Sequence, residues 1–415
     1  MKRPYFRFVS VLLVAVFITG FFGFVSAETD ETNLPQRKIV VFKDGVSDIE
    51  KGRIISASRG AKARKLRHGN ALVAYADNAA ETKLLKNTKV VRVEDDVVVE
   101  ALESGAEATA QRTKPSATQP AQVLPWGIDR IDADRVWKLG QTGGGINIGI
   151  IDTGISTTHP DLAGNIKGGV SEVAYTFSWN DDNGHGSHVA GVVAALNNTV
   201  GVVGGVSSAN LYSIKVLDRN GSGYLSDVID GIDWAVANGM QVVNISLGTT
   251  ADVQSLHDAV IRAHNAGVVV VAAAGNSGGS VIYPAAYSEA IAVAATDFSN
   301  SAPYWSSRGP EVDLAAPGVN IYSTYKGTKY ATLSGTSMAS PHVASAAAFV
   351  LNRATDTTFD GLGSCVSEFD INCNNAWDPK EVQAKLEATA SDLGVAGKDD
   401  MYGYGLVSAY AAFTN

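Results

Sequence analysis

Three short stretches of this chain put a carboxylate, an imidazole and a hydroxyl at the ends of apolar segments. In Ile151-Asp152-Thr153-Gly154, Asp152 directly follows an apolar, β-branched run. In Asn183-Gly184-His185-Gly186-Ser187-His188-Val189-Ala190-Gly191, His185 stands at the mouth of an apolar helical pattern. In Ser334-Gly335-Thr336-Ser337-Met338-Ala339-Ser340-Pro341-His342-Val343-Ala344, Ser337 opens an Ala-rich helical pattern. A hydroxyl becomes a nucleophile when a base lies within hydrogen-bond reach and a carboxylate holds that imidazole in the right tautomer. A Ser at a helix N-terminus also has partial positive charge beside it, which stabilises an oxyanion. Together the three residue types can do nucleophilic acyl transfer. Singly, each has a plainer role: Asp152 capping a turn, His185 packed in a core, Ser337 capping a helix. His185 and His188, three apart on a helix, could share a zinc ion, but no Glu stands as in H-E-x-x-H and no third ligand is evident. His188 and His342 are expected to pack or hydrogen-bond beside the helices.

Each candidate has to be aimed by a rigid element end. The runs Ile146 to Ile151, Leu211 to Val216, Val242 to Ser246, Val268 to Ala273 and Ala290 to Ala294 read as strands. Leu225, Val228, Ile229, Ile232 and Val236 fall at helical spacing between them, as do Val253, Leu256, Val260 and Ile261. Strands alternating with helices predict an α/β fold, a mostly parallel sheet with helices on both faces. In such sheets the site lies beyond the carboxyl ends of the strands.

Upstream, residues 36–102 alternate apolar and charged runs around Lys38 to Phe42, Ala71 to Tyr75, Val90 to Val93 and Val97 to Val99. With helices over 47–59 and 79–87, they predict a small α+β domain. Residues 103–120 carry almost no large apolar side chain and read as a linker. The N-terminus reads as an export signal over 1–27: Lys2, Arg3 and Arg7, an apolar stretch from Phe8 to Val25, then Val25-Ser26-Ala27. An uncleaved membrane anchor is the other reading of that stretch. The organisation is thus signal 1–27, small domain 28–102, linker or extension 103–120, main body 121–415, with the mature chain secreted and off the membrane.

Residues 121–415 hold 14 Lys and Arg against 28 Asp and Glu, whereas residues 28–120 hold 16 against 14. An acidic body argues against nucleic acid, which needs a basic face. A mildly basic small domain beside it can associate electrostatically. The two cysteines, Cys365 and Cys373, are close enough in an exported chain to form one small-loop disulfide or to remain thiols.

The three motifs, in this order, closely resemble the Asp, His and Ser signatures of the subtilisin family of serine proteases. The resemblance runs from about Gln122 to Ala411 and includes Ala121 to Gly127, Leu211 to Leu217 and Ala315-Ala316-Pro317-Gly318. It implies a secreted serine endopeptidase, a monomer acting on proteins and peptides. Asp152 would orient, His185 would act as base then acid, and Ser337 would attack the carbonyl. Ala272-Ala273-Ala274-Gly275-Asn276 resembles the oxyanion segment, with the Asn276 side-chain amide as one donor and the Ser337 backbone N–H as the second. Ser246, Leu247 and Gly248, with Ala273 to Gly275, resemble the walls of the primary substrate slot. Their small side chains imply a roomy apolar slot and broad cleavage after large apolar or aromatic residues. Thr249 departs from the family's usual second Gly, and the loop after Ser277 could carry Glu289 toward the slot. Loss of Asp152, His185, Ser337 or Asn276 would have pointed instead to a non-catalytic binding protein; all four are present.

The resemblance extends to a structural calcium ion, held by Asp161, the Gln122 and Asn198 side chains, and the carbonyls of Leu196, Val200 and Val202. Segment 36–102 resembles the family's inhibitory, folding-assisting propeptide, with Val93 to Leu102 as its end. Cleavage after Leu102 and cleavage nearer Ala121 both remain open. Apart from the resemblance, Asp370, Asn372, Asn374, Asp378 and Glu381 fit the spacing of an EF-hand loop. Asp378-Pro379-Lys380-Glu381 equally fits a helix start, with N-cap, Pro at N1 and Glu at N3.

Overall fold

A computed structural model describes residues 34–102, 119–353 and 376–415. The export signal, most of the 103–120 linker, Cys365, Cys373, Asp370, Asn372 and Asn374 lie outside the described residues. Within the compact unit Pro35–Asn415, the small domain comes first. Its elements are β1 (Gln36–Phe42), α1 (Asp48–Ala57), β2 (Ala61–Lys65), β3 (Ala71–Ala76), α2 (Asn78–Leu85) and β4 (Val90–Asp95). The strands form one antiparallel sheet in the order β2-β3-β1-β4. Strand β1 is apolar on both faces. Val40 and Phe42 pack with Ile54, Ile55, Leu72 and Leu84 on the domain's own helices. Ile39 and Val41 join a cluster with residues of the main body. Period-two alternation along a strand sends neighbours to opposite faces, so this sheet is covered on both sides.

The next strand, β5 (Val98–Ala101), leaves that sheet. The expectation that Val97 to Val99 completes the small domain is corrected here: the main body supplies its pairing partners. The body begins with α3 (Trp126–Arg130) and α4 (Ala133–Trp137). It continues with β6 (Asn147–Asp152), β7 (Ile166–Ser171), α5 (His185–Ala194), β8 (Asn210–Lys215), β9 (Ser222–Tyr224), α6 (Leu225–Ala237) and β10 (Val242–Ile245). Then come β11 (Leu247–Gly248), α7 (Gln254–Asn265), β12 (Val269–Ala273), β13 (Ala290–Thr296), β14 (Leu314–Pro317), β15 (Ile321–Tyr325) and β16 (Lys329–Leu333). The chain closes with α8 (Thr336–Asn352), α9 (Pro379–Ala388) and α10 (Ala409–Thr414).

Seven strands make a parallel sheet in the order β14-β13-β12-β10-β6-β8-β7. One face packs on α5 and α8 through Val189, Val193, Met338, Val343 and Phe349. The other packs on α6 and α7 through Val228, Ile232, Leu256 and Val260. Strands β7 and β14 were not legible as strands, because Ile166-Lys167-Gly168-Gly169 and Leu314-Ala315-Ala316-Pro317 lack a β-branched run. Among the described residues, no helix is long and apolar enough to cross a membrane.

Candidate active site

Asp152 is the last residue of β6, and its carboxylate is fully buried. His185 is the first residue of α5, whose N-terminus lies against that strand end. Both Asp152 oxygens reach His185 Nδ1, at 2.8 and 2.9 Å. A carboxylate at Nδ1 keeps the proton there, so the basic lone pair of the neutral ring is on Nε2. The approach depends on Gly186. A Cβ there would collide with the Gly154 carbonyl and crowd Asp152. The turn before the helix is held by Asp181, a residue that sequence reasoning did not single out. Its buried carboxylate accepts the N–H groups of Asn183, Gly184 and Ser187 and the hydroxyls of Thr153 and Ser187. Burial nevertheless pushes its pKa upward.

Ser337 occupies the first turn of α8, which packs against α5. Its hydroxyl donates to the Ser246 carbonyl at 3.0 Å. Pro341 lies inside the same helix and has no N–H for the Ser337 carbonyl four residues back. The Ser246 hydroxyl donates to that carbonyl instead, at 3.0 Å, and so ties the start of α8 to the end of β10. Asn276 follows β12. Its Oδ1 accepts from the Thr336 N–H at 2.9 Å and the Thr336 hydroxyl at 2.8 Å. With the oxygen engaged, the amide presents Nδ2 outward. Thr336 was missed by sequence reasoning, although it directly precedes Ser337.

That Nδ2 donates to the carbonyl of Leu102 at 2.7 Å. Leu102 N–H donates to the Ser246 carbonyl at 3.3 Å, and Ala101 N–H to the Gly221 carbonyl at 2.9 Å. Strand β5 thus lies antiparallel between β9 and β11. Ser246-Leu247-Gly248 runs along one side of it, and Asn276, which follows Ala273 to Gly275, reaches it at Leu102. The Glu289 carboxylate is engaged by His257 Nε2 at 3.0 Å. Thr249 is drawn into backbone pairing with Tyr283.

His188 and His342, the other histidines of the two helix motifs, are structural in geometry. His188 Nε2 donates to the carbonyls of Ile321 and Ala331, and burial lowers its pKa to about 3. His342 Nδ1 donates to the Met338 carbonyl, and burial lowers its pKa to about 4.

The calcium candidates converge in one loop. Gln122 Nε2 donates to the carbonyls of Leu196 at 2.8 Å and Val202 at 3.2 Å. Asn198 Nδ2 donates to Asp161 Oδ1 at 2.8 Å. Asp161 Oδ2 accepts from Val202 N–H and the Tyr330 hydroxyl. Ala121 pairs with Val200. An amide nitrogen stands where two carbonyl oxygens meet, the place a cation would take. Half a turn of that amide exchanges it for an oxygen ligand. Gly201, at φ +64°, keeps the ring open, because a Cβ there would strike the Asp161 carboxylate and the Tyr330 hydroxyl. The donor set therefore fits a hard cation. Of the EF-hand spacing, the described part is a helix start: Asp378 and Glu381 form a capping box with Pro379 at N1.

The small domain docks by charge as well as by apolar contact. Asp96 Oδ1 accepts the Ser226 N–H at 2.8 Å and caps α6. Glu94 accepts the Ser255 N–H and hydroxyl at the start of α7. Arg64 pairs with Asp227 and Asp230, Arg67 with Glu172, and Arg92 with Asp258.

Residues 143–405 match the profile of the subtilase family. The chain is 47% identical to Subtilisin Savinase of Lederbergia lenta over 293 residues, covering 70% of this chain and 99% of that protein. It is 45% identical to an alkaline protease of Shouchella clausii over 315 residues, 76% of each. It is 37% identical to Subtilisin E of Bacillus subtilis (strain 168) over 409 residues, 96% of each.

Proposed function

The chain belongs to the subtilase family and is a serine endopeptidase acting on protein or peptide substrates, and from that premise we propose its catalytic residues, processing and location. Ser337 Oγ attacks the scissile carbonyl carbon while its proton passes to His185 Nε2. Asp152 holds the imidazole through Nδ1 and stabilises the imidazolium that forms. The oxyanion is received by Asn276 Nδ2 and the Ser337 backbone N–H. His185 then protonates the leaving amine as the C–N bond breaks. Water, deprotonated by the same histidine, releases the acyl group and restores the Ser337 hydroxyl.

The observation that carries this reading is the position of Leu102. Its carbonyl accepts from Asn276 Nδ2 at 2.7 Å, on a strand paired between β9 and β11. The chain's own segment thus lies across the site as a substrate would in strand addition. Residues 28–102 are accordingly an inhibitory and folding propeptide, and the bond after Leu102 is the one cut in self-maturation. Residues 103–120 become an extension of the mature chain 121–415 or are trimmed nearer Ala121. Residues 1–27 act as a cleaved signal, so the mature enzyme is an extracellular monomer. It cleaves broadly after apolar residues. Gln122, Asp161, Leu196, Asn198, Val200 and Val202 would hold a structural calcium ion, which would cross-link the start of the body to its loop.

The test is to express the full precursor and its Ser337→Ala variant and follow chain mass over time. The wild type should lose the segment ending at Leu102, whereas the variant stays intact. Equal cutting of both chains would assign maturation to another protease. A wild type that stays whole and ignores a serine-directed phosphonate would overturn the catalytic reading.

A further inference from the structure

The small residues that wall the substrate slot leave its depth undetermined, and a residue outside both walls closes it. Leu102 marks the slot: its N–H and carbonyl are held by Ser246 and Asn276, one from each side. Ile282 is strapped to the same two walls. Its N–H donates to the Ala274 carbonyl at 3.1 Å. The next residue, Tyr283, exchanges hydrogen bonds with Thr249 at 2.9 and 3.0 Å. The Ile282 side chain fills the space between the walls. A Cβ added at Gly248 would lie 2.7 Å from Ile282 Cδ1, and one added at Gly275 would lie 3.4 Å from its Cγ1. Ile282 is only partly buried. With Glu289 turned to His257, the described slot keeps an aliphatic floor rather than a charged one.

We propose that Ile282 determines specificity by flooring the slot, so that aliphatic side chains of about leucine's length are accepted and aromatic rings are held out. This rests on the peptidase reading given above and narrows the expectation of cleavage after aromatics. Isoleucine is stiff at χ1, and hydrogen bonds on both sides pin its backbone, so it cannot swing aside to admit a ring. The chain's own residue at this position, Leu102, has the size the floor allows.

The matured protein and its Ile282→Gly and Ile282→Ala variants would be assayed on peptide amides that differ only in the residue before the scissile bond: Ala, Leu, Met, Phe or Tyr. Reading kcat and KM separately, the wild type should favour Leu and Met over Phe and Tyr by about 10-fold or more, the scale of discrimination one misfitting methylene gives in an apolar pocket. Both variants should raise the Phe-to-Leu ratio of kcat/KM by a similar factor, Gly more than Ala. If neither variant matures, Ile282→Val, one methyl shorter, must move the ratio in the same direction. Equal turnover of Leu and Phe by the wild type overturns the proposal, as does an unchanged ratio in a variant that still cleaves the Leu peptide. A wild type that cleaves none of the peptides and processes no better than Ser337→Ala removes the peptidase reading and this inference together. An active enzyme with a flat profile removes the inference alone.

Discussion

At the scale of single residues, the site is a set of short polar groups whose second atoms are all committed. The Asp152 carboxylate grips His185 Nδ1, and the Thr336 hydroxyl and N–H grip Asn276 Oδ1. Each grip leaves the other atom of its partner oriented for chemistry. In the proposed mechanism Asn276 Nδ2, which donates to the Leu102 carbonyl, is a donor in place before charge develops, the form of electrostatic stabilisation that needs no reorganisation. Replacing Asn276 by Leu should therefore lower kcat on a peptide amide by about 10²–10³, the loss measured for the corresponding donor in subtilisin itself, with KM little changed. A loss confined to KM would mean that Asn276 binds substrate without meeting the oxyanion.

At the scale of elements, two helices are aimed by local chemistry that their own hydrogen bonds do not supply. Helix α5 starts on Asp181 and approaches β6 through Gly186. Helix α8 loses one internal bond at Pro341 and gains a tie to Ser246. The small domain's β-sheet is docked on α6 by Arg64 and Arg37 beside Asp227. Burial there raises the Asp227 pKa to about 6, against the pull of both arginines. A carboxyl group whose pKa is raised in the folded state binds a proton there more readily than in the unfolded chain. Its contribution is full below the ordinary carboxylate range and is lost as pH rises through about 6. The Tm of the Ser337→Ala precursor should thus fall between pH 5 and pH 8 by the part that this group contributes. The same precursor carrying Asp227→Asn should show a smaller difference in Tm; an equal one would assign the pH dependence to other groups.

At the scale of the molecule, the unit Pro35–Asn415 is a stack of layers: small-domain helices, small-domain sheet, α6 and α7, the parallel sheet, then α5 and α8. The start of the body is tied across to the loop 196–202 by Gln122 and Ala121. An ion bound there stabilises only the folded chain, by about 2.7 kcal/mol when calcium is 100 times its Kd. Chelation should lower the Tm of the Ser337→Ala precursor, and calcium should restore it. Gly201→Ala should lose most of that response, because its Cβ would enter the ligand ring. A Tm indifferent to calcium would remove the ion from this loop.

What the sequence determined by itself was local: which residues end strands and open helices, the alternation that makes a parallel sheet, and the motifs of Asp152, His185, Ser337 and Asn276. Those signals are legible because each depends on neighbours within a turn or a strand. Strands β7 and β14 were hidden because their pairing partners, not their own side chains, make them strands. Strand β5 was read as part of the wrong sheet, since period-two alternation shows a strand but not its partner. Asp181, Thr336 and Ile282 escaped notice for the same reason. Their roles are hydrogen bonds and contacts to groups far along the chain, such as Ile282 lying between Gly248 and Gly275. Only the folded chain brings such groups within van der Waals range, so tertiary structure alone decided how the site is braced and which side chain lies between Gly248 and Gly275.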